Sequence, residues 1–252
     1  MDAEIVVVAD AEALAREAAR RFVELAQEAA RSRGRFSVAL SGGSTPGRLF
    51  RLLAEEPYRA QIPWEQVCFF WGDERCVPPD DPESNYRLVE EALIAHVPIP
   101  PENVHRMRGE LEAGVAAQTY ENRLQDFFCG PRPRFDLVLL GLGEDGHTAS
   151  LFPGSPLLDE RERLAAPAMA TSPDRPAQRV TLTLPAINTA RHVLPAINTA
   201  RHVLFLVTGQ AKAEVVQAVI AGPAGRYPAQ RIQPTAGQLT WLLDAAAASR
   251  LG

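Results

Sequence analysis

The chain has 252 residues, of which 26 are basic and 31 acidic, and its formal net charge at pH 7 is −5. This weakly acidic balance, without any block of basic residues, argues against a general binder of nucleic acids or anionic membranes. No apolar run approaches the roughly 18 residues of a membrane-spanning helix. The acidic start MDAEIVVVAD lacks the basic region of a signal peptide. Three cysteines without metal-ligand spacing, Cys68, Cys76 and Cys129, are expected to be reduced thiols of a cytoplasmic protein.

Lysine is almost absent, since all but one of the 26 basic residues are arginines and the exception is Lys212. The codon bias of a GC-rich genome explains an excess of arginine. It does not explain why a lysine remains at this one position.

Strands and helices alternate along the chain. Helical spacing of apolar residues and capping signals predict helices over 11–33 with Asp10 as N-cap, from Pro46 with Thr45 as N-cap, over 84–96, over 110–128, around Lys212 and at the Ala-rich C-terminus. Apolar or β-branched runs predict strands over 4–8, 36–40, 67–71, 135–140, 179–183, 203–207 and 239–243.

Continuous apolar strands separated by helices indicate an α/β fold with a mostly parallel sheet that is covered on both faces. Proline-rich loops at 98–101, 131–133 and 173–176 are too short for flexible linkers. We therefore expect a single domain over 1–252. In such sheets the sites lie beyond the carboxyl ends of the strands, and the polar motifs below all follow strands.

The first motif, Ser41-Gly42-Gly43-Ser44-Thr45-Pro46, joins a strand to a helix. Glycines allow close backbone approach to a ligand, and the start of a helix offers free N–H groups and partial positive charge to a phosphate. An ordinary strand-to-helix turn would have the same sequence, so the motif alone leaves both interpretations open.

Two further motifs follow strands. Asp73-Glu74-Arg75 comes after Val67–Trp71, where its charges face a cleft or form a solvated surface pair of little energetic value. The stretch Gly141-Leu-Gly-Glu-Asp145-Gly-His147-Thr-Ala-Ser-Leu-Phe-Pro-Gly154 places a histidine in a glycine-flanked loop. Imidazole is the usual general base near neutral pH, although a loop histidine without a catalytic role is the alternative.

A Gly-x-Ser-x-Gly elbow, a Walker loop and a complete dinucleotide fingerprint are absent from the sequence.

Together and in this order, the three motifs resemble the signatures of the 6-phosphogluconolactonase family. The resemblance extends to Ser84-Asn85-Tyr86, Arg179-Val-Thr-Leu-Thr183, Thr208-Gly209 with Lys212, and Trp241-Leu-Leu-Asp244. It implies a Rossmann-like three-layer α/β/α fold. It also implies hydrolysis of 6-phosphoglucono-δ-lactone to 6-phosphogluconate in the oxidative pentose phosphate pathway.

The resemblance assigns roles residue by residue. His147 is expected to be the general base that activates water, Arg75 to stabilise the oxyanion, and Asp145 to orient His147. The loop Gly42-Gly43-Ser44-Thr45 is expected to hold the 6-phosphate together with Arg179 and Lys212, and Asp73 to contact the substrate. No metal or organic cofactor is implied. We expect a cytoplasmic monomer whose partner is a sugar-phosphate lactone, without nucleic-acid or membrane partners.

The lactonase function has two alternatives. An aminosugar-phosphate deaminase or isomerase of the same fold has a glutamate shortly after the loop histidine, whereas here no acid appears between His147 and Asp159. A non-catalytic sugar-phosphate sensor usually has a helix-turn-helix segment, and none is visible before the first strand or after residue 244. Both comparisons favour the lactonase.

One feature departs from the family pattern. The ten residues 184–193 recur unchanged as 194–203, between the strand that holds Arg179 and the strand that leads to Lys212. Identity at every position indicates a recent slippage event or an assembly artefact. His192 and His202 are then copies of one position, not a metal pair. We expect one copy to be extruded while the sheet survives, so that deletion of 184–193 preserves activity.

Overall fold

In a computed structural model of the protein, the described residues are 3–170, 176–188, 201–235 and 237–252. They contain ten strands and seven α-helices. In chain order these are β1 (Glu4–Val8), α1 (Ala11–Arg33), β2 (Phe36–Leu40), α2 (Ser44–Leu53), α3 (Tyr58–Gln61), β3 (Val67–Trp71), β4 (Asp73–Arg75), α4 (Asn85–Ala92), β5 (Val104–His105), α5 (Ala113–Phe128), β6 (Leu137–Leu140), β7 (Ala165–Met169), β8 (Gln178–Leu182), α6 (Leu184–Asn188), β9 (Arg201–Val207), α7 (Ala213–Ile220) and β10 (Gly237–Asp244). Within the described ranges, no helix is long and apolar enough to cross a membrane.

Seven strands form the central sheet in the order β1-β10-β9-β6-β2-β3-β5, and every neighbouring pair is parallel. Strands β2, β3 and β6 are buried along their whole length. Because side chains of a strand point alternately to its two faces, this continuous burial requires helices on both sides of the sheet. The predicted α/β class with a mostly parallel sheet between helical layers is confirmed.

The order of the strands creates a crevice between β2 and β6. The chain proceeds outwards from β2 to β3 and β5 on one side, and from β6 to β9 and β10 on the other. A reversal of strand order of this kind is the usual ligand position in an open α/β sheet. The glycine-rich segment 41–45 follows β2 and the histidine-bearing segment 141–147 follows β6, so both begin at this crevice.

A second sheet of three antiparallel strands, β4-β8-β7, was not foreseen from the sequence. The segment that contains Arg179 was predicted as a strand and is one, but it belongs to this sheet. A single residue, Gly72, separates β3 from β4, so β4 cannot run beside β3 as a parallel strand, which needs a crossover of about a dozen residues. Strand β4 pairs with β8 instead, and this places Arg179 in the small sheet. Gly72 joins the two sheets, because its N–H donates to the Leu40 carbonyl and its carbonyl accepts from the Leu182 N–H, both at 2.8 Å.

Several predicted boundaries need correction. Asp10 caps α1 as expected, accepting from the Ala13 N–H at 2.7 Å. Thr45 is not the N-cap of α2: Gly43 takes that position, and the Thr45 hydroxyl instead lies 2.7 Å from the Thr208 hydroxyl. The helix predicted over 84–96 ends as α4 at Ala92 and continues only as a 3-10 turn.

The predicted C-terminal helix is also wrong, since turns follow β10. There the Asp244 carboxylate accepts from the Ala247 N–H at 2.7 Å, and the few remaining residues cannot repay the cost of helix nucleation.

The repeat contributes to two elements. Its first copy begins with α6, and its second copy ends within β9, which pairs with β6 on one side and β10 on the other. The sheet is therefore continuous at this point. The prediction that one copy is extruded concerns residues 189–200, which lie outside the described residues.

Candidate active site

A cavity of about 500 Å³ opens at the carboxyl ends of β2, β6 and β9. Every residue that the sequence nominated, apart from Asp145, lines it: Gly42, Gly43, Ser44, Thr45, Asp73, Arg75, His147, Arg179 and Lys212. Asp145 lies directly behind His147. The structure thus brings the nominated residues to one place, while their individual roles stay predictions.

The glycine-rich loop forms one end of the cavity. Gly43 has a φ of +104°, a conformation that residues with a side chain rarely adopt. At Gly42, an added Cβ would lie 1.9 Å from the Asn85 side-chain oxygen, so only glycine fits there. The next residues, Ser44 and Thr45, begin α2, and the N–H groups of a first helical turn have no partner within the helix. This arrangement suits a phosphate group.

His147 lines the cavity after β6 with Asp145 behind it, and we call this part of the lining the other end. His147 Nδ1 lies 2.5 Å from Asp145 Oδ1, which also accepts from the His147 N–H at 3.1 Å. Burial alone would raise the pKa of Asp145, but these hydrogen bonds and the charge of the imidazole outweigh it and lower that pKa. An ionised carboxylate only accepts, so Nδ1 donates and Nε2 of the neutral ring keeps a free lone pair. His147 itself lines the cavity, and its role as a base stays a prediction.

Glycines shape the histidine loop. A Cβ at Gly143 would lie 2.1 Å from His147 Nδ1, and the Gly143 N–H donates to the His147 carbonyl at 2.8 Å. Gly146 has a φ of +79°, and a Cβ there would meet the Tyr227 ring at 2.3 Å. On the other side, the Phe152 ring packs against the imidazole with 4.7 Å between centroids. The loop geometry thus fixes the orientation of the imidazole.

Two arginines line the cavity from the small sheet. Arg75 and Arg179 lie opposite each other in the β4–β8 pair, an arrangement of like charges that destabilises a sheet unless an anion offsets it. Arg75 Nη1 donates to the Glu83 carbonyl, and its Nε is buried without a hydrogen-bond partner among the described residues. Arg179 is buried, and its Nε donates to the Pro176 carbonyl at 2.9 Å. Arg75 Nη1 also lies 3.8 Å from Glu83 Oε2, so its charge is partly offset, and both guanidinium groups line this wall of the cavity.

Lys212 lies beyond β9, at the end of a 3-10 turn that precedes α7, and not inside a helix as predicted. The turn begins at Gly209, which has a φ of +95° and whose N–H donates to both oxygens of Asp244 at 3.0 Å. Lys212 Nζ lies 3.6 Å from Glu144 Oε1. The hydrogen bond between the Thr45 and Thr208 hydroxyl groups joins the glycine-rich loop to the segment that leads to Lys212, at one end of the cavity.

Asp73 takes part in a buried network. Its Oδ2 accepts from the Ser150 hydroxyl at 2.6 Å, and its Oδ1 and carbonyl accept from the Asn85 amide at 3.3 and 2.9 Å. Since Asn85 also packs on Gly42, the network connects the glycine-rich loop, β4 and the segment after His147. Both oxygens of Asp73 already have partners, and its contact with substrate stays a prediction.

Glu74 stabilises the start of α4. Its carboxylate accepts from the backbone N–H groups of Asn85 and Tyr86, both at 2.7 Å, and from the Ser84 hydroxyl at 3.1 Å. Burial raises the pKa of Glu74, although the backbone N–H groups act in the opposite direction. This carboxylate is a structural part of the site, since it fixes Asn85 against the glycine-rich loop.

Sequence reasoning missed several residues of the cavity. Asn85 was noted only within the resemblance, although its position directly after the α4 cap Ser84 is a recognisable signal. Thr208 also lines the cavity and was likewise noted only within the resemblance. Glu144 and Phe152 line it too, and only their closeness in sequence to His147 could have indicated them. In the described part of the chain, no group of three or more His, Cys, Asp or Glu side chains is placed to hold a metal ion.

The chain is similar to proteins of known family. The sequence model of the family described as glucosamine-6-phosphate isomerases/6-phosphogluconolactonase matches residues 9–194 and 193–241. Each matched segment contains one copy of the ten-residue repeat, so the family pattern is interrupted there.

Among curated relatives, a protein named 6-phosphogluconolactonase from Haemophilus influenzae is 42% identical over 212 residues, which cover 83% of this chain and 85% of the relative. One of the same name from Homo sapiens is 42% identical over 227 residues, covering 87% of this chain and 82% of the relative.

Solved structures agree with this. A 6-phosphogluconolactonase from Trypanosoma cruzi superposes with a TM-score of 0.84 at 32% identity, covering 100% of this chain and 98% of the other. A monomeric glucosamine-6-phosphate deaminase superposes with a TM-score of 0.78 over 98% of this chain and 99% of the other. At 21% identity, the second likeness shows the fold alone.

Proposed function

We propose a mechanism for this chain from one premise: the chain belongs to the glucosamine-6-phosphate isomerase/6-phosphogluconolactonase family. It is a hydrolase that converts 6-phosphogluconolactone to 6-phosphogluconate in the pentose phosphate pathway. We assign each step of that reaction to residues of the cavity.

His147 activates water. Its Nε2 lone pair takes a proton from a water molecule as the water oxygen attacks C1 of the lactone. The hydrogen bond from Nδ1 to Asp145 fixes the tautomer and stabilises the imidazolium that forms. A general base of this kind contributes about 10²–10⁴-fold to the rate.

Arg75 stabilises the negative charge that develops on the carbonyl oxygen. The C1–O bond of the ring then breaks, the carbonyl reforms, and the imidazolium returns its proton to the ring oxygen. The products are an open-chain hydroxy acid, which ionises to the carboxylate, and neutral His147. Charge stabilisation by a preorganised donor is worth about 10²–10³-fold. The ester carbonyl is electrophilic enough for this route, so the mechanism uses neither a metal nor an organic cofactor.

The 6-phosphate binds at the end formed by the glycine-rich loop. The N–H groups of Ser44 and Thr45, with the positive end of α2, donate to its oxygens, and Lys212 and Arg179 supply cationic partners. Hydrogen bonds to a charged group contribute about 1.5–3 kcal/mol each, so a few suffice to anchor a small polar sugar.

One observation carries this assignment: the imidazole supported by Asp145 and the N-terminus of α2 open onto the same cavity. A deaminase is disfavoured because Thr148 and the following residues supply no acid before Asp159.

We also propose that the protein is a cytoplasmic monomer that binds neither nucleic acid nor membrane. The weakly acidic composition supports this proposal.

A pair of parallel assays tests the function. Fresh 6-phosphogluconolactone is supplied and acid release is followed against the spontaneous rate, while glucosamine 6-phosphate is tested for ammonia release. We expect the first reaction only, unaffected by a chelator. Ammonia release without lactone hydrolysis would overturn the proposal. Light scattering of the purified chain measures its mass against the expected monomer.

A further inference from the structure

Glu144 lies where two cavities meet. It occupies the histidine loop between Gly143 and Asp145 and lines the candidate active site. It also lines a neighbouring cavity of about 700 Å³. Its Oε1 is 3.6 Å from Lys212 Nζ, and its side chain is 72% exposed while that of Lys212 is 25% exposed. The glutamate is thus the more exposed partner of a more confined lysine.

Glu144 differs from the other acid of the active-site lining. Asp73 is buried, and its oxygens accept from Ser150 and Asn85. Among the residues that the structure describes, the partner of the Glu144 carboxylate is Lys212, which the proposed function assigns to the 6-phosphate. A phosphate at Lys212 would compete with this carboxylate for the ammonium and would repel it, since like charges at such distances interact unfavourably even near the surface.

The neighbouring cavity offers the displaced carboxylate another cation. Arg226 and Arg250 both line it. Arg250 Nη1 already lies 3.5 Å from Glu214 Oε2. Arg226 is stacked over the Tyr227 ring, 5.4 Å from its centroid, and no carboxylate of the described residues lies within ion-pair distance of it. Glu144 lines both cavities, so its carboxylate borders the surroundings of Lys212 on one side and those of Arg226 on the other.

We propose that Glu144 is a resident counter-anion of the phosphate subsite. It neutralises Lys212 while the subsite is empty and turns towards Arg226 when a phosphate group binds. This inference rests on the proposed function, which places the 6-phosphate at Lys212. Because the carboxylate must be displaced, it weakens the affinity of the subsite for phosphate groups and so favours release of the phosphorylated product.

Inhibition of lactone hydrolysis by inorganic phosphate tests this proposal. We expect Glu144→Gln to lower the inhibition constant about two- to fivefold at low ionic strength, the range of an exposed ion pair, and to lose this effect in high salt. Glu214→Gln is the matched control, because Glu214 lines only the neighbouring cavity and is expected to leave the constant unchanged. In a Lys212→Met background, Glu144→Gln should change nothing.

The outcomes separate the two proposals. An unchanged or higher constant in Glu144→Gln, while Lys212→Met raises it, would overturn the role of Glu144 and leave the phosphate subsite intact. An equal decrease in Glu214→Gln would show a general charge effect and would also overturn it. If Lys212→Met itself left the constant unchanged, the placement of the phosphate at Lys212 would be wrong, and the inference would fail with it.

Discussion

The two ends of the cavity are constructed in different ways. The end that we propose for hydrolysis consists of side chains, namely His147, Asp145 and Arg75, and His147 is held by a hydrogen bond to Asp145 and by the Phe152 ring. The proposed phosphate end consists of the backbone of Gly42 and Gly43 at the start of α2, completed by the cations Lys212 and Arg179.

This difference separates two kinds of binding energy. Side chains that act on developing charge stabilise the transition state and raise kcat. A backbone cradle for a group that does not react binds substrate and transition state equally, and therefore lowers KM. Substitutions at the two ends should accordingly separate in their kinetics.

His147→Ala should have the largest effect. Loss of the base is expected to lower kcat about 10²–10⁴-fold with KM nearly unchanged. Steady-state kinetics on the lactone measures both constants, and circular dichroism checks the fold. The control is His96→Ala, since His96 is exposed and lies outside the cavity. Full activity in His147→Ala would remove the histidine from the mechanism.

Arg75→Met comes next, with a fall in kcat of about 10²–10³-fold from the loss of one oxyanion partner. Arg87→Met is the matched control, because Arg87 pairs with Glu91 on an exposed part of α4. A large rise in KM without a fall in kcat would place Arg75 at the phosphate end instead.

Lys212→Met should act on KM. Removing one charge-assisted hydrogen bond of about 1.5–3 kcal/mol raises KM roughly 10- to 150-fold and leaves kcat nearly unchanged. Lys212→Arg keeps the charge but exchanges a compact ammonium for a planar group, so a smaller rise is expected. An unchanged KM in both variants would mean that Lys212 does not bind the phosphate, and codon bias alone would then account for the composition.

Gly42→Ala tests the backbone cradle. The new Cβ would overlap the Asn85 oxygen and displace the loop, and a displacement of about 1 Å costs up to about 10²-fold. We expect this loss as a rise in KM. Gly34→Ala is the control: its φ of +75° makes alanine strained, but it ends α1 away from the cavity. It should lower the melting temperature and leave KM unchanged. The reverse pattern would contradict the cradle.

Deletion of residues 184–193 should have the smallest effect. The repeat lies between β8, which contains Arg179, and β9, which leads to Thr208 and Lys212. Either copy supplies the same ten residues to α6 and β9, so we expect equal or higher activity in the same assay. An inactive but folded deletion variant would mean that both copies are needed to position these residues.

Much of the fold was predictable because parallel strands buried on both faces leave continuous apolar runs, as in β2 and β3. The antiparallel sheet was not, since short strands such as Asp73–Arg75 have no periodicity to recognise. The predicted site residues share a cavity because most of them follow strands β2, β3, β6 and β9, while Arg179 lies on β8, which pairs with β4. Asn85 and Glu144 were missed because their importance depends on contacts, with Gly42 and Lys212, between segments far apart in sequence.

The central claim is that one end of the cavity holds the phosphate while the other hydrolyses the lactone. The most direct test measures kcat/KM of the wild type and Lys212→Met on 6-phosphogluconolactone and on gluconolactone without the phosphate. We predict a loss of about 10- to 150-fold on the phosphorylated substrate and no change on the other. Equal losses on both substrates would contradict the separation of the two ends.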